Sequence, residues 1–372
     1  MSRVCTVFPF VDIVGQEEMK RALILNVIDP GIGGVLLKGE KGTAKSTSVR
    51  SLGGVLPSRR RVKGCRFGCD PRDPDSMCES CRSLLAGPGI ETEEAPMEVV
   101  ELPLGATEDR VAGTIDIEHA LKTGEKRFEP GVLARANGNL LYIDEVNLLD
   151  DHIVDMLLDS AAMGVNYVER EGISFSHPSR FVLVGTMNPE EGDLRPQLLD
   201  RFGLSVDIKG EHDPKTRAEI VRRRLAFDDA PERYAASRSE ETDKLCSRIA
   251  EASSHVRSIA VEPEVVDAVV SITSHFGIDG HRADIVMIKA ARANAAFEGR
   301  DRIISDDMVA VAGLVLSHRI RRRPFEDSSI DREELERCLK DLRAIRSPPF
   351  SAWKRLKTPS DARYAALGSA RC

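Results

Sequence analysis

The chain of 372 residues contains no apolar run near the roughly 18 residues needed to cross a bilayer, and its start lacks a secretory leader pattern. A membrane-embedded protein is therefore not expected, and the cytoplasm is the expected compartment. Positive charge is not in excess. Lys and Arg number 53 against 60 Asp and Glu, a formal net charge of −7, which argues against a surface that coats nucleic acid. Local basic clusters at Arg59-Arg60-Arg61 and at residues 319–323 read as solvated faces or contacts to a neighbouring subunit. Internal repeats are missing, so the chain is not a repeat array. The histidines are scattered without ligand spacing, and His119, His152 and His275 are assigned no chemistry. What is present, 41% hydrophobic residues over this length, can bury a core of ordinary density in two or three domains.

The most informative segment runs from Gly39 to Ser46, Gly-Glu-Lys-Gly-Thr-Ala-Lys-Ser, directly after the apolar Val35-Leu36-Leu37. A short buried strand turning through Gly39, Gly42, Thr43 and Ala44 into a helix near Lys45 makes a concave anion site from backbone N–H groups and the positive end of the helix. Lys45 would reach the β- and γ-phosphates of a nucleotide, and the Ser46 hydroxyl would bind Mg²⁺. Alanine at 44 replaces the glycine of the usual pattern, which is tolerable if that residue keeps a helical-type backbone. About a hundred residues on, Leu140-Leu141-Tyr142-Ile143 is too short for an ordinary helix and ends in Asp144 and Glu145. Asp144 is placed to hold the metal, and Glu145 to orient or deprotonate the attacking water. A third apolar run, from Phe181, ends on Asn188, a candidate to hold that water or the γ-phosphate. The short helix that follows presents Arg195 and Arg201, either of which could act as a finger into a neighbouring subunit's nucleotide or form a surface salt bridge.

Four cysteines fall close together, Cys65 with Cys69 and Cys78 with Cys81, as two pairs flanking a Pro- and Asp-rich loop. In a chain of cytosolic character, disulfides are the weaker explanation. Two such pairs can converge on Zn²⁺, an iron–sulfur cluster also takes four thiolates, and redox or unliganded thiols remain a third reading. Cys5, Cys246, Cys338 and Cys372 are isolated.

With these residues in place, the chain resembles the AAA+ ATPases, and among them the small ATPase subunit of magnesium chelatase and its cobalt-chelatase relatives. The resemblance covers about residues 8–325. It is carried by Ile13-Val14-Gly15-Gln16, the phosphate loop, residues 140–145, the text NPEEGDLRPQLLDRFGL that begins at Asn188, and Arg282. It implies Lys45 and Ser46 as Walker A, Asp144 and Glu145 as Walker B, Asn188 as sensor 1, Arg201 as the arginine finger and Arg282 as sensor 2, with Gln16 helping to enclose the adenine. Arg282 would reach back to the phosphates from the start of its helix. The family's insertions are expected at residues 99–118 and in a hairpin at 166–175 that turns through Glu171-Gly172. The family pattern does not require the cysteine cluster.

The implied fold is α/β: an AAA+ P-loop core with a parallel sheet flanked by helices, then an α-helical lid domain. The expected divisions are residues 1–212, with a Cys-rich insertion at about 63–83, then 213–320, then a charged extension 321–372. That extension holds the lone Trp353, a helix at 326–342 and a weakly ordered end. The resemblance implies an ATPase motor that uses ATP and Mg²⁺, assembles into a ring, taken as a hexamer, and drives an integrin-domain ATPase subunit and a large catalytic chelatase subunit. That partner would insert Mg²⁺ or Co²⁺ into a tetrapyrrole, because nothing in this chain is suited to bind one. A remodelling ATPase acting on protein or DNA, and a nucleotide-gated scaffold, are the alternatives.

Overall fold

The computed structural model describes residues 6–87, 89–115, 128–170, 173–320 and 337. The Glu171-Gly172 turn, the expected helix at 326–342 apart from residue 337, Trp353 and the final residues lie outside the described residues.

In chain order the described strands are β1 (Val35–Gly39), β2 (Ser58–Val62), β3 (Thr92–Pro96), β4 (Val99–Leu102), β5 (Gly113–Ile115), β6 (Phe128–Pro130), β7 (Leu140–Ile143), β8 (Val165–Arg170), β9 (Ile173–Pro178), β10 (Val182–Met187) and β11 (Leu204–Ile208). Five of them form one sheet in the order β11-β1-β10-β7-β4, every pairing parallel. Parallel strands are buried on both faces, which is why β1, β7 and β10 are continuous apolar runs and not alternating ones. Successive residues still point to opposite sides. Val35 and Leu37 of β1, Leu140 and Tyr142 of β7, and Val182 and Val184 of β10 join one core, while Leu36, Leu141, Ile143 and Leu183 join the other.

The first core is shared with the helix Glu17–Ile28 and with helices from the C-terminal half, where Ala290, Ala291 and Ala293 of the helix Arg282–Phe297 are fully buried. Beyond Asp213, which caps the helix Pro214–Asp229 by accepting from the Thr216 N–H at 2.9 Å, the described elements are helices: Pro231–Ser237, Ser239–His255, Pro263–His275, Arg282–Phe297 and Ser305–Leu316. This is the helical lid.

The segment 99–118 does not begin as an insertion. Residues Val99 to Leu102 are β4, the edge strand of the central sheet, with Val99 opposite Leu140 and with Val100 and Leu102 buried in the second core. A stretch with three apolar side chains out of four gains more by completing the sheet than by projecting from it. The projecting parts are the antiparallel pairs β2–β3, β5–β6 and β8–β9, the last running from Val165 to Pro178 and so longer than expected.

Two polar clusters fasten the lid. Asp12, nearly buried, accepts from Arg223 at 2.9 Å, Arg238 at 3.1 Å and the Tyr234 hydroxyl. Arg319, with only 3% of its side chain exposed, donates to the carbonyls of Asp200 (2.9 Å), Phe202 (2.7 Å) and Gly203 (3.0 Å) and pairs with the Asp200 carboxylate at 3.0 Å. These carbonyls lie at the end of the rim helix Pro196–Arg201 and just beyond it, so one guanidinium ties the end of the lid to the entry of β11. Replacing Arg319 by Met would strand those acceptors, at a cost of about 3 kcal/mol. Denaturant unfolding of Arg319→Met is expected to separate into an early lid transition and a later core transition; one unshifted transition would contradict this role.

Candidate nucleotide site

The central strands β1, β10 and β7 end at one edge of the sheet, at Gly39, Met187 and Ile143, so the residues that follow them meet there. β1 and β11 approach closely at that edge. A Cβ on Gly39 would stand 2.4 Å from the Ile208 carbonyl oxygen, so only glycine fits. The chain then turns through Gly42, at φ 82, into the helix Lys45–Leu52, which has no side-chain cap at its N-terminus. Its first N–H groups are thereby left to an anion.

Ala44 departs from expectation. It lies at φ 62, ψ 19, in the left-handed region and not in a helical-type backbone. The turn into the helix requires that conformation, which glycine adopts at no cost and a Cβ opposes.

Lys45 donates to the carbonyls of Gly39 and, at 2.7 Å, Glu40. Burial holds its ammonium below the ordinary lysine value, against the opposing pull of Asp144 and Glu145. The Asp144 carboxylate accepts from Thr186 Oγ1 at 2.6 Å, Tyr142 Oη at 2.8 Å and Ser46 Oγ at 3.2 Å. Burial raises the pKa of this carboxyl, but the hydrogen bonds from Thr186, Tyr142 and Ser46 outweigh it and keep Asp144 below the usual carboxylate range. Adjacent oxygens of an octahedral Mg²⁺ site, with bonds near 2.1 Å, stand about 3 Å apart. The 3.2 Å between Ser46 and Asp144 fits that separation, and a hydroxyl with a carboxylate is a donor set suited to this hard cation.

Glu145 follows at φ 53, its N–H donating to Thr186 Oγ1 at 3.1 Å. Asn188, at 2% exposure, sits just past β10, where its Oδ1 accepts from the Glu190 N–H at 3.2 Å. Gln16, also left-handed, donates from Nε2 to the Lys209 carbonyl at 3.1 Å, and Lys209 follows Ile208, the register partner of Gly39. Lys45, Ser46, Asp144, Glu145 and Asn188 are thus gathered at the strand ends, with Gln16 one strand away.

The arginines are elsewhere. Arg201 pairs with Asp155 at 2.8 Å and Asp159 at 2.7 Å, and Arg195 with Asp151 at 2.5 Å. Arg282, expected to reach back to the phosphates, is instead bonded to Asp200 at 3.2 Å, beside Arg201. The reason is local: Arg282 opens its helix within reach of the Asp200 carboxylate, which also anchors Arg319. Thr186 and Tyr142 were missed as partners of Asp144. Tyr142 lies two residues before Asp144 and Thr186 two before Asn188, so each shares the side of its extended segment with a recognised position just past the strand.

The AAA domain (dynein-related subfamily) pattern matches residues 84–202, and the AAA lid domain pattern matches residues 266–338. The "Magnesium-chelatase subunit ChlI homolog" of Methanocaldococcus jannaschii is 50% identical over 91% of this chain and 92% of its own length. "Magnesium-chelatase subunit ChlI" of Mesostigma viride is 51% identical over 87% of this chain and 90% of its own. A cryo-electron-microscopy reconstruction of the complex between subunits BchI and BchD of magnesium chelatase aligns with TM-score 0.50 and 46% identity over 86% of this chain and 97% of that one. A parallel sheet with a phosphate loop at its edge and a helical lid beyond it defines a AAA ATPase. Within that class, the chain belongs to the magnesium-chelatase subunit ChlI family.

Glycine at position 44 would relieve the left-handed Cβ, so Ala44→Gly is expected to stabilise the nucleotide-free protein by about 1 kcal/mol and to leave ATP affinity intact. A melting temperature equal to or below that of the parent protein would show that the loop carries no such strain.

Proposed function

We propose that this chain is the ATPase motor of a chelatase, hydrolysing ATP so that a partner subunit can insert Mg²⁺ or Co²⁺ into a tetrapyrrole. The observation that carries the ATPase chemistry is the Ser46–Asp144 contact at the strand ends, with Glu145 next in sequence. The chelatase assignment is supported by relatives named as magnesium-chelatase subunits and by the BchI–BchD complex. Integrin-domain and large catalytic subunits are the proposed partners, a ring taken as a hexamer is the proposed working form, and the cytoplasm its place.

In this role the loop N–H groups and Lys45 bind and orient the β- and γ-phosphates. Ser46 and Asp144 hold Mg²⁺, which when bound neutralises charge on the phosphate oxygens. Glu145 accepts the proton of the attacking water, and Asn188 positions that water or the γ-phosphate. Gln16 borders the adenine. Arg201, on the rim helix, is the proposed finger into a neighbouring subunit's nucleotide, and Arg282, bonded to Asp200 beside it, is the proposed sensor 2. The four thiolates Cys65, Cys69, Cys78 and Cys81 hold a metal apart from this chemistry.

Glu145→Gln keeps the metal ligand and loses only the base. It should bind ATP with near-normal affinity yet turn over at least about 100-fold more slowly, measured by calorimetry and phosphate release; wild-type turnover would remove Glu145 from the mechanism. Arg201→Ala tests the shared site. ATP binding should persist while turnover falls by about 1,000-fold, and wild-type activity should show a cooperative onset with protein concentration. Turnover strictly proportional to concentration down to high dilution would mean a self-sufficient monomer.

A further inference from the structure

The strands β2 and β3 leave the core side by side and carry between them the cysteine-bearing loop. In the folded chain the Sγ atoms of Cys65, Cys69, Cys78 and Cys81 all lie within 4.8 Å of one another, and the last three residues are buried. Cys65 Sγ stands 3.6 Å from Cys69 Sγ and 3.9 Å from Cys78 Sγ. Four thiolates at 2.3 Å from one Zn²⁺ form a tetrahedron with edges of about 3.8 Å. An iron–sulfur cluster places two or four irons and bridging sulfides between its cysteines and so needs them wider apart. The spacing is that of a single ion. The Cys78 N–H donates to Cys69 Sγ at 3.2 Å, the kind of outer bond that orients a metal-bound thiolate.

A second observation concerns charge. Arg59, on β2, is half-buried against this loop, where its Nη1 donates to the Gly68 carbonyl at 2.9 Å. Its Nε is buried without a partner, and among the described residues no carboxylate lies within ion-pairing distance of it. Zn²⁺ held by four thiolates would carry a net charge of −2, adding to the pull of Glu98 and Asp70, which does not offset the burial of this guanidinium.

A third concerns what stands on the loop. Between Cys65 and Cys69, Phe67 stacks on His177 of β9 at 5.1 Å and contacts Phe128 of β6 and Phe175 of β9 at 6.2 and 6.1 Å. The Phe67 carbonyl accepts from Asn137 Nδ2 at 2.8 Å, just before β7. Three of the four cysteines belong to the same apolar cluster as Phe128 and Val168.

We infer that Cys65, Cys69, Cys78 and Cys81 bind one Zn²⁺ as four thiolates, and that the zinc-bound loop is the brace on which the β5–β6 and β8–β9 insertions are mounted. This specifies the metal reading given above and is independent of the nucleotide-site assignment. The loop has few apolar side chains of its own to hold Phe67 in place, so the ion supplies the rigidity that a core would.

The full-length protein, purified without added metal, should contain one zinc per chain by elemental analysis and be colourless. Its four clustered thiols should resist alkylation until a mercurial releases the zinc. Cobalt exchanged into the site should show the visible bands of tetrahedral thiolate coordination. Hydrogen exchange of the zinc-released protein should accelerate at residues 165–170 and 173–178 by at least about tenfold, as it does in the cysteine loop, and should return on adding Zn²⁺. Cys78→Ser should lose the zinc; where it does not fold, Cys65→His, which keeps a fourth ligand at the most accessible position, should still bind one zinc with an altered cobalt spectrum. Four freely alkylated thiols with no metal, a disulfide, or two or more irons per chain in a coloured protein would each overturn the zinc site. Zinc present with unchanged hairpin exchange would overturn the brace. An ATP titration of the same samples keeps the two assignments apart, since protein that holds zinc but no ATP contradicts only the nucleotide site.

Discussion

The Asp144 carboxylate joins three segments that are far apart in sequence. It receives hydroxyls from Ser46 on the helix after β1, from Tyr142 on its own strand and from Thr186 on β10. A partly buried negative charge is tolerable only when donors surround it, so the strands that bring those donors must stay in register. Leu141 opposite Leu183 and Leu36 opposite Gly185 hold that register. The packing of the sheet and the position of the acid are therefore one constraint. The same Thr186 hydroxyl accepts from the N–H of Glu145, so the residue assigned as base is fixed by the group that fixes the metal ligand.

Asp200 plays the corresponding part at the rim. It binds Arg319 from the end of the lid and Arg282 from the start of a lid helix, while its neighbour Arg201 reaches the helix Asp151–Met163. The lid and the proposed finger thus share one short helix, Pro196–Arg201. Any rotation of the lid that carries Arg319 with it pulls on the segment bearing Arg201, so lid movement is mechanically coupled to the proposed finger.

The nucleotide edge was legible because β1 and β10 begin with apolar runs and β7 consists of one, and the chain passes from them into the glycine loop, Asn188 and Asp144. The cysteine cluster was legible because its spacing is local. β4 was not, since Val99-Val100-Glu101-Leu102 is an edge strand whose only sequence signal is four residues long. The backbone of Ala44 was illegible because an alanine in the left-handed region looks in sequence like any other alanine. The partnerships of Asp12 with Arg223 and Arg238, and of Arg319 with the Phe202 carbonyl, join positions more than a hundred residues apart, and no periodicity records such contacts. The bond from Arg282 to Asp200, 82 residues away, was illegible for the same reason.

The pairing of Ser58 with Pro96 means that the chain leaves the ATPase core and returns to it within the width of one strand pair, about 5 Å. Everything between those two residues is topologically a detour. The same geometry makes it a natural splice point for engineering, where a short turn or a foreign recognition element could replace the cysteine loop while the hydrolytic edge of the sheet keeps its alignment.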